Sequence, residues 1–281
     1  MAQEVQRPAV RWHGGKWLLA PWIHGFFPPH RVYVEPFGGG ASVMLRKSRS
    51  YGEIYNDLDV EVVNLFRVLQ SARAAELHHK LTMTPFARSE FDLAYEMADD
   101  EVERARRLII RSFMGFGSNG HSRVTGFRAN SNRSGTTPAH DWVNYAAALP
   151  KLIERMSGVV VENRDAREVI RAHDAKTTLF YVDPPYVHSS RSDMGKDYAH
   201  ELTDDEHRDL AKVLHGVDGM VVLSGYRSAL YDELYAGWQA HERKSLADGA
   251  RPRIEVVWLN AAAVKALNQS KQQLDWLGAA E

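Results

Sequence analysis

The chain contains no cysteine in 281 residues. That excludes a disulfide framework, a thiolate metal site and a cysteine nucleophile. No apolar run approaches the roughly 18 residues of a membrane span, and "MAQEVQRPAV" (1–10) lacks the apolar core of a signal peptide. A cytoplasmic protein without a membrane partner is expected. Among the thirteen histidines neither HExxH nor another close ligand spacing occurs. His78-His79 in a polar stretch, and His200, His207 and His215 on or near one helix, read as solvated or core side chains, so no metal is expected. There is no GxxxxGK[ST], and no good GxGxxG. Large net charge is missing too: at −1 the chain as a whole does not advertise a polyanionic partner.

What is present is alternation. "RVYVEPFGGGASVMLRK" (31–47) reads as strand, glycine turn, helix, and "GEIYNDLD" (52–59) as a second strand ending in acids. "VEVVNLFRVLQ" (60–70) follows at helical spacing. "GVVVEN" (158–163), "TTLFYVD" (177–183) and "GMVVLSG" (219–225) are continuous apolar runs of the kind that fill a parallel sheet. Thr203 and Glu206 stand at capping-box spacing and start a helix. "WQAHERKSL" (238–246) and "RPRIEVVWLN" (251–260) form a closing strand pair. The pattern predicts a doubly wound α/β sheet, mixed but mostly parallel. Residues 71–113 are helical in pieces with a break at Pro85, and "HDWVNYAAALPKLIERMS" (140–157) is a helix interrupted at Pro150. This block breaks the alternation. Residues 1–70 and 151–281 are therefore expected to form the ligand-binding domain, with 71–150 as an inserted, helical, basic subdomain.

Charge is uneven within that block. From Arg104 to His140 there are seven arginines (104, 106, 107, 111, 123, 128, 133) and no Asp or Glu. Part of the run, "GFGSNGHSRVTGFRANSNRSGTTP" (115–138), is long, polar and aperiodic. Arginine's planar fork suits phosphate and guanine, while a solvated loop balancing "ADDEVE" (98–103) accounts for the same charges; the composition leaves both open. Arg123, Arg128, Arg133 and Asn119 are the candidate nucleic-acid contacts. The arginines of 104–111 rank lower, because a helix can hold them in ion pairs.

Ligands of open α/β sheets bind at the carboxyl ends of strands. "VEPFGGGAS" sits at such an end, and its glycines let backbone approach a ligand. Asp57, seventeen residues after Gly40, is placed to meet ribose hydroxyls. With no phosphate-loop pattern, a nucleoside lacking a pyrophosphate is favoured, and S-adenosylmethionine is the commonest. "RWHGGK" (11–16) offers Lys16 for its carboxylate.

"DPPY" (183–186) ends a buried strand with two residues that cannot extend a ladder. By composition it occurs by chance on the order of once in a thousand chains of this length. A carboxylate and a rigid backbone carbonyl can accept both N–H bonds of an exocyclic amine and favour a pyramidal nitrogen. Asp183 and the carbonyl of Pro184 supply these, Pro185 completes the corner, and Tyr186 offers a face to a base taken out of a duplex.

In the order "RWHGGK", "VEPFGGGAS", "YNDLD", insertion, "DPPY", the chain resembles the Dam-like family of DNA adenine-N6 methyltransferases, which includes stand-alone enzymes of phages and prophages. The resemblance covers nearly the whole chain. It implies a Rossmann-like methyltransferase sheet with an inserted target-recognition subdomain, S-adenosylmethionine as methyl donor and double-stranded DNA as substrate. By motif, Trp12, Lys16, Glu35, Phe37, Gly38, Gly39, Asp57, Asp165 and Asp183 would hold the cofactor, and Asp183 would stand between cofactor and base. One departure is Ala41 where the family commonly has the last glycine of FxGxG.

Cytosine-C5 methylation is closed without a cysteine. Cytosine-N4 methylation uses the same clamp but more often opens it with Ser, so Asp183 favours adenine. A DNA-binding regulator that keeps the cofactor site without catalysis stays open, with a nicotinamide-dependent oxidoreductase a distant third. Target sequence, oligomeric state and the existence of a partner restriction endonuclease are not written in the chain.

Overall fold

The computed structural model describes residues 5–117, 124–130, 135–187, 201–246 and 252–278. Its strands are β1 (Val32–Glu35), β2 (Gly52–Asn56), β3 (Val160–Glu162), β4 (Thr178–Val182), β5 (Met220–Gly225), β6 (Gln239–Leu246) and β7 (Pro252–Leu259). They form one sheet in the order β3-β2-β1-β4-β5-β7-β6. β3 through β5 in that order run parallel, whereas β7 is antiparallel to β5 and pairs with β6 as a hairpin. The chain leaves β1 toward β2 on one side and later returns to β4 on the other. The carboxyl end of β1 is therefore the switch point, where such sheets open a crevice.

Alternation along the strands sorts the core into two layers. Tyr33, Tyr55, Leu179, Val222 and Val257 face one side; Val34, Ile54, Phe180, Val221 and Val256 face the other. The second side is covered by α8 (Ala166–Ala172), α9 (Asp204–His215) and α10 (Ala229–Leu234). On the first side lie α1 (Ala20–His24), α2 (Ser42–Arg46), α3 (Val60–Gln70), α4 (Ala74–Met83), α5 (Arg88–Leu93), α6 (Glu101–Met114) and α7 (Pro138–Met156). The helix α11 (Ala261–Gly278) follows β7 and sets Ala263 into the same layer; it has no counterpart among the elements read from sequence. The helical block of 71–150 thus shares a core with the sheet. Leu77, Phe91, Ile109 and Trp142 belong to one apolar cluster with Tyr33 and Leu179.

Three expectations need adjustment. Pro150 does not interrupt α7, which runs through it to Met156. A proline costs one i→i−4 bond, and burial of Trp142, Tyr145, Leu149 and Leu152 on both sides of it offsets that loss. β3 is an outer strand with Val160 half exposed, not a strand filled on both faces. The basic segment also contains order: Gly115 pairs with Phe127, and Phe116 and Arg128 donate backbone N–H groups to Gly126 and Met114, so residues 114–128 begin and end as an antiparallel pair.

Helix starts follow local chemistry. Asp59, Asp100, Thr137, Asp165, Thr203 and Ser228 each cap a helix through a side-chain oxygen, and Thr203 with Glu206 forms the reciprocal capping box. Among the described residues no helix is long and apolar enough to cross a membrane.

Candidate active site

The turn after β1 is glycine-rich for a steric reason. A Cβ on Gly38 would stand 2.2 Å from the Tyr55 ring, and one on Gly39 would stand 2.5 Å from the Trp12 indole nitrogen at φ +47°. Neither position admits a side chain. The turn is then tied to β2: Gly38 N–H donates to Asn56 O (2.8 Å), Tyr55 hydroxyl to Gly39 O (2.7 Å), and Gly39 N–H to Asp57 Oδ2 (2.7 Å). Asp57 Oδ1 accepts from Asp59 N–H at 2.9 Å. Ala41 sits at φ 52°, ψ 31° and is fully buried. A left-handed alanine costs about 1–2 kcal/mol, and burial of its methyl offsets roughly 0.8 kcal/mol, so alanine in place of glycine here is a small net change.

The turn, the end of β4 and the "RWHGGK" segment line one cleft. Its wall includes Trp12, Lys16, Glu35, Phe37, Gly38, Gly39, Asp57, Asp183, Pro184 and Pro185. Motifs spread over more than 170 positions of chain meet at one switch point. Lys16 is buried; its ammonium donates to Gly14 O (2.6 Å) and lies 3.1 Å from Asp183 Oδ2.

Among the described residues of the cleft wall, carboxylates outnumber cations. Burial alone would push the Lys16 ammonium down, but the charges of Asp183 and Glu255 outweigh it, and the net direction is upward. Lys16 therefore stays charged. Burial raises Asp183 against the pull of Lys16, and it raises Glu255 likewise. Glu35, at the end of β1, is pushed up to about 8 by burial, although the Tyr33 hydroxyl and the Met44 backbone draw it down. Tyr33 donates to Glu35 Oε1 at 2.7 Å. Among the described residues, two buried carboxylate oxygens on the cleft wall, Glu35 Oε2 and Asp183 Oδ1, have no hydrogen-bond partner. A buried acceptor left open is costly, and two together mark a place for a donor-rich ligand.

Other predicted residues lie elsewhere. Asp165 is not on the cleft wall: it caps α8 through Arg167 N–H and pairs with the Arg167 guanidinium, and its neighbour Ala166 reaches the cleft instead. The Tyr186 ring is 5% exposed and lies behind the wall, with its hydroxyl donating to Glu255 Oε2 at 3.0 Å. Lys16 Nζ is 4.7 Å from its centroid and the Tyr226 ring meets it edge-on at 4.5 Å. Arg128 donates to Phe113 O at 2.9 Å. Asn119, Arg123 and Arg133 fall outside the described residues. The lower-ranked arginines are engaged: Arg104 with Glu61, Arg106 with Glu90 and Glu103, Arg107 with Glu103, and Arg111 with Ala94 O. His207 is buried against the Tyr231 hydroxyl, and His215 contacts Leu234 O. Glu255 was not foreseen; the available signal was a lone acid in the apolar strand "IEVVWL".

An open sheet of this strand order, with a glycine turn at its switch point and a carboxylate corner beside it, has the architecture of the Rossmann-like methyltransferase fold. A family model, "D12 class N6 adenine-specific DNA methyltransferase", matches residues 12–248. The chain belongs to that family. It is also similar to a DNA N-6-adenine-methyltransferase of Escherichia phage P1, at 30% identity over 83 residues. That match takes in 29% of this chain and 10% of the phage protein.

Proposed function

We propose that this protein moves a methyl group from S-adenosylmethionine to the N6 amino group of an adenine in double-stranded DNA, with the base turned out of the duplex. The reading rests on one juxtaposition: Asp183 and Pro184 line the same cleft as the glycine turn and Asp57. The residues suit such a cofactor. The backbone at Gly38 and Gly39 is bare, and the open oxygens of Glu35 and Asp183 await donors. Trp12, Phe37, Gly38 and Gly39 would line it, Asp57 would take ribose hydroxyls, Glu35 would face its ammonium and Lys16 its carboxylate. When bound, S-adenosylmethionine supplies a methyl group on a sulfonium, ready for attack.

The protein's part is to prepare the nitrogen. An adenine amine is a poor nucleophile because its lone pair is delocalised into the ring. Asp183 and the Pro184 carbonyl accept its two N–H bonds and hold the lone pair out of the ring plane. Both acceptors are rigid, so they stabilise positive charge as it develops on nitrogen without reorganising. Lys16 keeps the Asp183 carboxylate oriented, and Asp183 is the group placed to take the proton that the methylated amine releases.

Residues 71–150 are assigned to target recognition. The pair of chains at 114–128 leaves Phe116 and Val124 about three-quarters exposed (75% and 76%). Arg123 and Asn119 lie between these legs in sequence, and Arg133 follows.

The test is incubation with labelled S-adenosylmethionine and unmethylated DNA, followed by nucleoside analysis. Label in N6-methyladenine is expected. Label in N4-methylcytosine would move the assignment to the other amine, and DNA binding without label would make the protein a regulator. Asp183→Ala should abolish transfer while donor binding weakens far less.

A further inference from the structure

Glu255 belongs to none of the motifs above, yet it is a charged residue 7% exposed in the middle of β7. A buried carboxylate is retained against a desolvation cost, so its partners matter. One is explicit: Tyr186, the last residue of the corner, donates its hydroxyl to Glu255 Oε2 at 3.0 Å across 69 positions of sequence.

The corner needs such an anchor. The parallel ladder of β4 with β5 ends at Val182. Pro184 and Pro185 have no N–H to continue it. Asp183 and the Pro184 carbonyl thus project from backbone held on its upstream side by the sheet and, two residues downstream, by a side chain. In sheet order β5 separates β4 from β7, so the Tyr186–Glu255 bond reaches across a strand. It also fixes the ring that carries Lys16 over one face and packs edge-to-face with Tyr226.

We infer that Glu255 is a positioning residue, holding the Asp183–Pro184 acceptors in register for the target amine through its hydrogen bond to the Tyr186 hydroxyl. The inference rests on the methyltransferase reading above and adds a residue to it.

Four proteins test it: Glu255→Leu, Glu255→Gln, Tyr186→Phe and the Tyr186→Phe/Glu255→Leu double. For each, kcat and KM on DNA, donor Kd by calorimetry and the melting temperature are measured. Glu255→Leu and Tyr186→Phe should each lower kcat about tenfold to a hundredfold, the range expected for a misplaced reacting group, with donor Kd within about threefold. Gln keeps an acceptor oxygen and should recover most of the loss. The double should be no slower than the slower single. Tyr186→Phe removes one oxygen atom, so it reports even if Glu255→Leu does not fold. Wild-type kcat in Tyr186→Phe, multiplicative losses in the double, or no recovery with Gln overturns the inference. Coupling in the melting temperatures alone, with kcat unmoved, would reduce Glu255 to a structural residue. If the wild-type protein methylates no DNA, the proposed function fails; the melting-temperature cycle still shows separately whether the bond exists.

Discussion

Glu35 is a carboxylic acid at the end of a buried strand, with one oxygen on Tyr33. In the unfolded chain it ionises near 4.5; folded, it holds its proton up to about 8. Between those values the folded state binds more protons, so stability falls as pH rises across the window. At about 1.4 kcal/mol per pKa unit the loss is on the order of a few kcal/mol. Glu35→Gln should flatten that slope, and urea midpoints of both proteins at about pH 5, 7 and 8.5 read it. A parallel wild-type and mutant slope would show that Glu35 ionises normally. On the proposed function the same proton would matter for donor binding. A bound ammonium favours the carboxylate, so donor binding near neutral pH should release protons, visible as a binding enthalpy that varies with buffer ionisation heat.

Between elements, one tie is the buried set of Arg155, Glu53 and Lys47. Arg155, in the last turn of α7, forms a two-pronged bond to Glu53 of β2 at 2.6 and 3.0 Å and donates to Met44 O at 2.6 Å. Lys47 Nζ lies 2.7 Å from the same carboxylate. Burial opposes the Glu53 charge, but Arg155 and Lys47 prevail and hold its carboxyl below the usual range. Arg155→Leu removes one member and leaves charges buried, which costs about 3–5 kcal/mol. Denaturant unfolding should show that loss, and a change below about 1 kcal/mol would mean the network is solvated.

For the whole molecule, shared packing predicts cooperativity. The helices of the inserted block contribute Leu77, Phe91, Ile109 and Trp142 to the cluster that covers one face of the sheet. Unfolding should therefore be a single transition, with far-ultraviolet dichroism and tryptophan fluorescence coinciding. Two separate transitions would mean that residues 71–150 fold as an independent unit. On the proposed function, a block whose core is joined to the sheet would give a rigid platform for holding a turned-out base against Asp183.

Much of this was legible along the chain because it is set by near neighbours. Each of the seven strands was read along the chain, three of them from continuous apolar runs, and the capping box placed α9; Pro184-Pro185 marked where β4 must stop, and the glycines where backbone must come close. β3 was found as a strand, but its edge position depends on which strand lies beside it, and no local pattern encodes that. Likewise Asp165 turned to Arg167, Tyr186 turned inward to Glu255, and the arginines of α6 were taken up by Glu61, Glu90 and Glu103. The sequence by itself determined the order of motifs and the chemical types available to the cleft, since turn geometry and side-chain chemistry are local properties. Tertiary structure alone decided which charges are buried and which acid meets which donor, because desolvation and hydrogen bonding depend on distance through space.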